Sequence, residues 1–451
     1  MRILGIDIGT TTISVIMIDG NSGDAIGTRT IAHHGFLEGH IPASKIQDPQ
    51  KMLEITKTAV KELTEEFGTP DSIGLTGQMH GMLYVDGEGN AVSPAYIWQD
   101  GCGNEMMEDG MTYAEYMKKA GGAAASGFGL ISHFYLQKKG MIPAEAVKMS
   151  TISDYIGMKL CGRTTPVIAV DMAASWGCFD LEKGDFYREE LEKLGVDLKY
   201  LPEILKGHEI MGHTEAGVPV MVSLGDNQAS VLGSVNDLCN TVLLNIGTGS
   251  QISVGTEKNV ACDGSVELRP CVEGTKLLVG CGLCGGRAYA MLEQFYREVC
   301  DTEDSLYAKM EKQAREFLAV SDKEKSWKIR TTFSGTRSNP KERGNIENIG
   351  IENFHPGAMT VGMICGILEE LQEMYLSMCE ETGSKAVCLV GSGNGIRRNL
   401  LMRELAEEMY GMKMKIPVCK EEAAYGAAIY SMVAAGLVKN LAQAQSRIKY
   451  E

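Results

Sequence analysis

No basic stripe runs along this sequence. Lys and Arg number 43 against 59 Asp and Glu, a formal charge of −16, which excludes a nucleic-acid backbone as the main partner. Proline is scarce at 12 residues and tryptophan at 3, and no low-complexity tract interrupts the chain, so Pro-rich linkers and extended disorder are excluded too. The longest apolar run, residues 423–438, is 16 residues long and rich in Ala, short of the ~20 needed to cross a bilayer. The chain opens directly on the strand-like Ile3, Leu4, Gly5, Ile6 with no basic and apolar leader, so a cytoplasmic protein without a membrane partner is expected. The 13 cysteines are odd in number and scattered on apolar segments, as reduced thiols used as small hydrophobes are. Their one close pair, Cys281 and Cys284, has no second pair to complete a zinc or iron–sulfur site, and reads as part of a Gly-rich turn.

What is present is enough chain, 451 residues, for two large domains with a core each. A net negative protein must hold any anionic ligand by a local device, such as backbone N–H groups or a metal ion. Residues 3–18, ILGIDIGTTTISVIMI, and residues 243–254, LLNIGTGSQISV, are two copies of such a device. Each is an apolar strand, a turn of Gly and Thr or Ser, and a second apolar strand. Either hairpin alone reads as an ordinary turn; the pair, about 240 residues apart, reads as a duplicated domain whose turns hold phosphate oxygens. The first copy also carries Asp7 inside an apolar strand, where an unpaired carboxylate costs several kcal/mol unless a cation is near. A Mg²⁺ site beside the phosphates supplies that partner.

Three further segments carry polar groups at strand ends. Residues 386–405 give a buried-type strand, the loop Gly391–Gly395 and a helical pattern, a nucleotide-binding arrangement that matches neither the dinucleotide fingerprint nor the Walker lysine loop. Residues 218–235 give an apolar strand that ends at Gly225 and delivers Asp226, Asn227 and Gln228 at its exit. Asp226 there reads either as a helix cap or as a general base within reach of a substrate hydroxyl. Residues 72–100 concentrate Gln78, His80, Trp98 and Asp100, a set suited to a polyhydroxylated ligand, although a lone His beside Gly is more often structural.

Taken in order, GIDIGTTT, TGQMHG, WQDG, LGDNQAS, NIGTGSQ and GSGNG resemble the FGGY carbohydrate kinases, of the actin/Hsp70/sugar-kinase fold; residues 335–344 and 421–428 look similar as well. The resemblance implies an α/β chain of two ribonuclease-H-like domains with a cleft between them. An N-terminal sugar-binding domain over 1–235 and a C-terminal nucleotide-binding domain over 236–451 are expected. It implies Asp226 as the catalytic base, Asp7 and Asp226 as the Mg²⁺ acids, Thr10 and Thr11 as the first phosphate turn, and Gly247 and Thr248 as the second. Gly393, Asn394 and Gly395 fall at the adenine-side loop, where the family's usual run is GGG-like. Gln78 to Gly81 resembles the ketose kinases, since glycerol kinases carry an Arg–Glu pair there. Residues 173–180 are more similar to sedoheptulokinases than to xylulokinases.

The expected activity is therefore ATP-dependent phosphorylation of a ketose at a terminal primary hydroxyl, with sedoheptulose first and D-xylulose second. Gln78, Met79, His80 and Asn227 would grip the sugar and Trp98 would lie along its carbon chain. A homodimer is compatible with this reading. The competing classes are an Hsp70- or actin-like nucleotide switch, which shares the paired hairpins but has no need of the 78–100 cluster, and an iron–sulfur ATPase using Cys281 and Cys284.

Overall fold

The runs Ile3–Ile8 and Ile13–Ile18 are apolar almost without alternation, the pattern of strands covered on both faces. In the computed structural model, which describes every residue except His208, Ala261, Asp263, Arg337, Ser338 and Pro340, they form strands β1 (Arg2–Ile8) and β2 (Thr12–Asp19). Residues 335–344, noted above, thus lie partly outside the described residues. The chain divides into two compact units. One comprises Met1–Asn236, Pro270–Gly274 and Glu421–Lys449, and the other Asp237–Arg269, Thr275–Lys420 and Tyr450–Glu451. The boundary expected at 235/236 falls where the first segment ends, but residues 270–274 and 421–449 return to the first unit.

In the first unit, β3 (Ala25–Ala32), β4 (Ser72–Gly77), β5 (Ile210–His213), β6 (Pro219–Met221) and β7 (Leu224–Gly225) complete a seven-stranded sheet in the order β5-β6-β4-β1-β2-β3, with β7 beside β4. Strands β1, β2 and β3 are an antiparallel meander, and β4 joins β1 in parallel. The second unit repeats this plan with β8 (Thr241–Ile246), β9 (Ser250–Thr256), β10 (Val266–Pro270), β11 (Lys276–Gly282), β12 (Cys388–Ser392) and β13 (Met414–Lys415), ordered β10-β11-β9-β8-β12-β13. Here β8, β9 and β11 are the meander and β12 joins β8 in parallel. Two ribonuclease-H-like sheets of the same topology follow, each opening on one of the two hairpins. No described helix is long and apolar enough to cross a membrane.

The helix Glu422–Ala434 explains its own composition. It lies against β1 and β4 and against the helix Asp226–Ser234. The approach is so close that a Cβ on Gly5 would sit 1.9 Å from the Ala424 carbonyl oxygen, and one on Gly74 2.0 Å from that of Ala427. The two helices cross at glycines: a Cβ on Gly233 would lie 2.1 Å from the Glu422 oxygen and one on Gly426 1.9 Å from the Ala229 oxygen. The Ala- and Gly-rich run is therefore a packing device that carries the chain's end into the first unit's core, where larger side chains would clash.

Candidate active site

The first unit gathers most of the polar residues singled out above. The short β7 ends at Gly225, and Asp226 opens the helix Asp226–Ser234, where the helix dipole favours a negative charge. Two buried carboxylates fix the approach: Asp154 Oδ1 accepts from Ser223 N at 2.9 Å and Asp171 Oδ2 accepts from Gly225 N at 2.8 Å. Thr151 Oγ1 donates to the other oxygen of Asp154 at 2.7 Å. Asp226 Oδ1 accepts from Asn227 N at 2.7 Å. Neither Asp154 nor Asp171 sits in a recognisable motif, so sequence reasoning passed over both.

Asp7, near the end of β1, is half-buried, and its Oδ1 is shut off from solvent with no hydrogen-bond partner among the described residues. Burial pushes its carboxyl up to about 7, with the negative charges of Asp226 and Glu421 adding to the effect. The Asp7 carboxyl thus feels the charges of Asp226 and Glu421 at the same sheet end. Glu421 was legible only as part of a family-like run; its Oε1 accepts from Thr30 Oγ1 at 3.0 Å. Among the described residues no group of three or more His, Cys, Asp or Glu is arranged to enclose a metal ion.

The turn between β1 and β2 is closed by Gly9 N donating to Thr12 O at 3.0 Å, and Thr11 at its tip is exposed. Thr10 is held from three sides. Gln47 Nε2 donates to its carbonyl at 2.7 Å, His33 Nε2 lies 2.9 Å from the same oxygen, and Trp98 Nε1 donates to its hydroxyl at 3.0 Å. Trp98 is 46% exposed. Gln78, in turn, donates from Nε2 to Gln47 Oε1 at 2.9 Å. His80 takes a positive φ of 72° and stacks on Phe128 with centroids 4.3 Å apart, its Nδ1 2.7 Å from Ser175 O, which requires a proton on that nitrogen.

Two expected residues turn out differently placed. Met79 is buried in the apolar cluster around Trp176 and Phe134, close enough to Gly225 that a Cβ there would meet its sulfur at 2.8 Å. It supports the backbone before Asp226, and a thioether is a poor partner for sugar hydroxyls. Asp100 is buried, with Oδ1 accepting from Ser44 Oγ and Lys45 N, both at 2.9 Å, so it shapes the loop that carries Trp98.

In the second unit the turn between β8 and β9 is closed by Gly247 N donating to Gly249 O at 3.0 Å, and Thr248 is exposed. The helix Gly285–Cys300 starts against it: Gly286 N donates to Gly247 O at 3.0 Å and Arg287 N to Thr248 O at 2.9 Å. Only glycine fits, since a Cβ on Gly286 would lie 2.1 Å from the Gly247 oxygen. The helix Gly393–Arg398 begins directly after β12, with Gly393 at φ 80° and Gly395 packed on Ile246 O. Gly393, Asn394 and Gly395 therefore adjoin the Gly247 turn at the same sheet end. The pair Cys281 and Cys284 lies where β11 passes into the helix, Cys284 within the apolar core.

Comparison with known proteins gives the arrangement a lineage. Residues 2–233 match the N-terminal domain, and residues 243–435 the C-terminal domain, of the FGGY family of carbohydrate kinases. Sedoheptulokinase of Mus musculus is 27% identical over 94% of this chain and 96% of that protein. A xylulose kinase of Staphylococcus xylosus is 25% identical over 65% of this chain and 63% of its own length. In fold, the xylulose kinase of Rhodospirillum rubrum superposes with a TM-score of 0.86 at 18% identity, covering 100% of this chain and 93% of the other. Because both domain models match in order over nearly the whole length, the nucleotide-switch and iron–sulfur alternatives lapse, and the chain belongs to the FGGY carbohydrate kinases, enzymes that use ATP as phosphoryl donor to a small-molecule sugar.

Proposed function

We propose that this enzyme phosphorylates a ketose at a terminal primary hydroxyl, with sedoheptulose the first assignment, giving the 7-phosphate, and D-xylulose the second. The observation that carries the reading is Asp226 at a helix start, its preceding backbone clamped by Asp154 and Asp171 and its charge felt by Asp7. The sugar preference leans on the sedoheptulokinase relative, whose likeness extends over nearly the whole of both chains. The 13 cysteines, scattered on apolar segments, suit a reducing compartment such as the cytoplasm.

Asp226 takes the proton from the attacking hydroxyl, at a helix start whose dipole favours a negative charge. Gln78, His80 and Asn227 orient the sugar, and Trp98 offers an exposed face to its carbon chain. The two Thr turns, with Thr10, Thr11, Gly247 and Thr248, present polar groups to the phosphates, and Gly393, Asn394 and Gly395 make the adenine side. Phosphoryl transfer has a loose transition state, so positioning and charge stabilisation supply most of the acceleration. The residues also fit a divalent cation: an Asp7 oxygen without a partner in a buried setting is the sort of group that Mg²⁺ uses beside substrate phosphates. Bound there with Asp7 and Asp226, Mg²⁺ would neutralise charge on the phosphate oxygens.

A panel of ketoses, aldoses and polyols in a coupled ADP-release assay tests this. Sedoheptulose and D-xylulose should lead, and Asp226→Ala should lower kcat by ~10²–10⁴ while KM changes little. Turnover of Asp226→Ala within about tenfold of the parent removes the base, and acceptance of glycerol or aldoses alone removes the ketose assignment.

A further inference from the structure

Two buried side chains outside every motif, Gln47 and His33, both 0% exposed, are spent on one atom, the carbonyl oxygen of Thr10. We infer that Gln47 is a positioning residue that couples occupation of the sugar site to the grip of the first phosphate turn, with Thr10 as the junction and His33 as a second anchor of the same carbonyl. The inference rests on the ketose kinase reading above.

The direction of each hydrogen bond follows from that carbonyl, which can only accept. Gln47 must turn Nε2 to it, at 2.7 Å, and so offers Oε1 to its other neighbour. Gln78 must then answer with Nε2, at 2.9 Å, which leaves Gln78 Oε1 as the end of the series. That oxygen is buried and has no hydrogen-bond partner among the described residues. A buried acceptor without a donor is costly, and a sugar hydroxyl is the donor that would relieve it. His33 reaches the same carbonyl from the other side: its Nδ1 accepts from Gly35 N at 3.0 Å, so Nε2 holds the proton that it gives to Thr10 O at 2.9 Å.

A second connection runs through the other polar group of Thr10. Trp98 Nε1 donates to Thr10 Oγ1 at 3.0 Å, which leaves the hydroxyl proton to be given elsewhere, as a phosphate oxygen would require. The two sugar-side residues Gln78 and Trp98 therefore end on the carbonyl and the hydroxyl of a single turn residue. A sugar that satisfies Gln78 and immobilises Trp98 stiffens both connections and fixes the turn in advance of the nucleotide.

The test is calorimetric. Affinity for a non-hydrolysable ATP analogue with Mg²⁺ is measured with and without saturating sedoheptulose, and the ratio of the two dissociation constants is the coupling. The parent enzyme should show a ratio of about fivefold or more, and Gln47→Met, which keeps the volume but cuts the series, should lower it to the part that Trp98 still carries. Gln78→Met with Gln47→Met should be no worse than either alone, because both break the same connection. Should Gln47→Met fail to fold, Trp98→Phe on its exposed ring should lower the ratio through the hydroxyl. Ketose binding with unchanged coupling in these variants, or multiplying effects of Gln47→Met and Gln78→Met, overturns the inference alone. A parent enzyme that binds no ketose overturns the sugar reading and this inference with it.

Discussion

The two Gly–Thr turns proposed to hold phosphate occupy equivalent places in two sheets of the same topology, yet they are held by different means. Around Gly9–Thr11 the work falls to side chains brought from far along the chain, Gln47, His33 and Trp98. Around Gly247–Gly249 it falls to backbone N–H groups at a helix start, with glycine at the contact because nothing larger fits. The scaffold is the same in both units while the supports differ. A turn supported by side chains can respond to what those side chains touch, here the proposed sugar site. A turn seated on a helix N-terminus is rigid and suited to an anion of fixed charge.

This contrast can be broken at each end. The largest effect is expected at the second turn: Gly286→Ala puts a Cβ 2.1 Å from a carbonyl oxygen, and overpacking of ~1–3 kcal/mol corresponds to a loss of about 5- to 150-fold in kcat/KM for ATP. Sugar affinity measured alone should stay unchanged, and a matching loss there would mean that the turn serves both ligands. At the first turn His33→Ala removes one of two donors to Thr10 O. It should raise KM for ATP by about 5- to 10-fold, the value of one hydrogen bond of ~1 kcal/mol or slightly more. Equal sensitivity of KM to Gly286→Ala and His33→Ala would erase the distinction between rigid and adjustable supports.

A smaller effect concerns pH. Burial pushes Asp154 up to about 7 from an ordinary 3.8, with the charge of Asp171 adding to it. The folded state then keeps a proton that the unfolded chain has released, so this group's contribution is full below about 4 and is lost as pH rises through about 7. Asp154→Asn does not titrate. Relative to the parent, its denaturant midpoint should therefore rise between pH 4 and 7 and level off above, in ligand-free protein. A pH-independent difference between the two would show that the carboxyl is ionised throughout.

Much of this was legible in the sequence. The two hairpins, Asp7 in an apolar strand and Asp226 at a strand exit all depend on local pattern, which period and turn chemistry reveal. Gln47 and His33 were not, because their significance lies in one carbonyl more than twenty residues away and no local rule points a side chain there. Met79 was misjudged for a related reason: it stands between Gln78 and His80 in a polar motif, and neighbours in a turn face different surroundings. The family resemblance groups residues 421–449 with the C-terminal domain, whereas their packing joins the first unit, a contact that their alanines and glycines favour.

That last helix has a consequence for how the protein is made. Gly5 and Gly74, laid down early, remain uncovered until Ala424 and Ala427 emerge from the ribosome, after the whole of the second sheet. The nascent first unit must wait with an apolar face open while its counterpart is already able to close. The half that is translated first is completed by a helix translated after the second sheet.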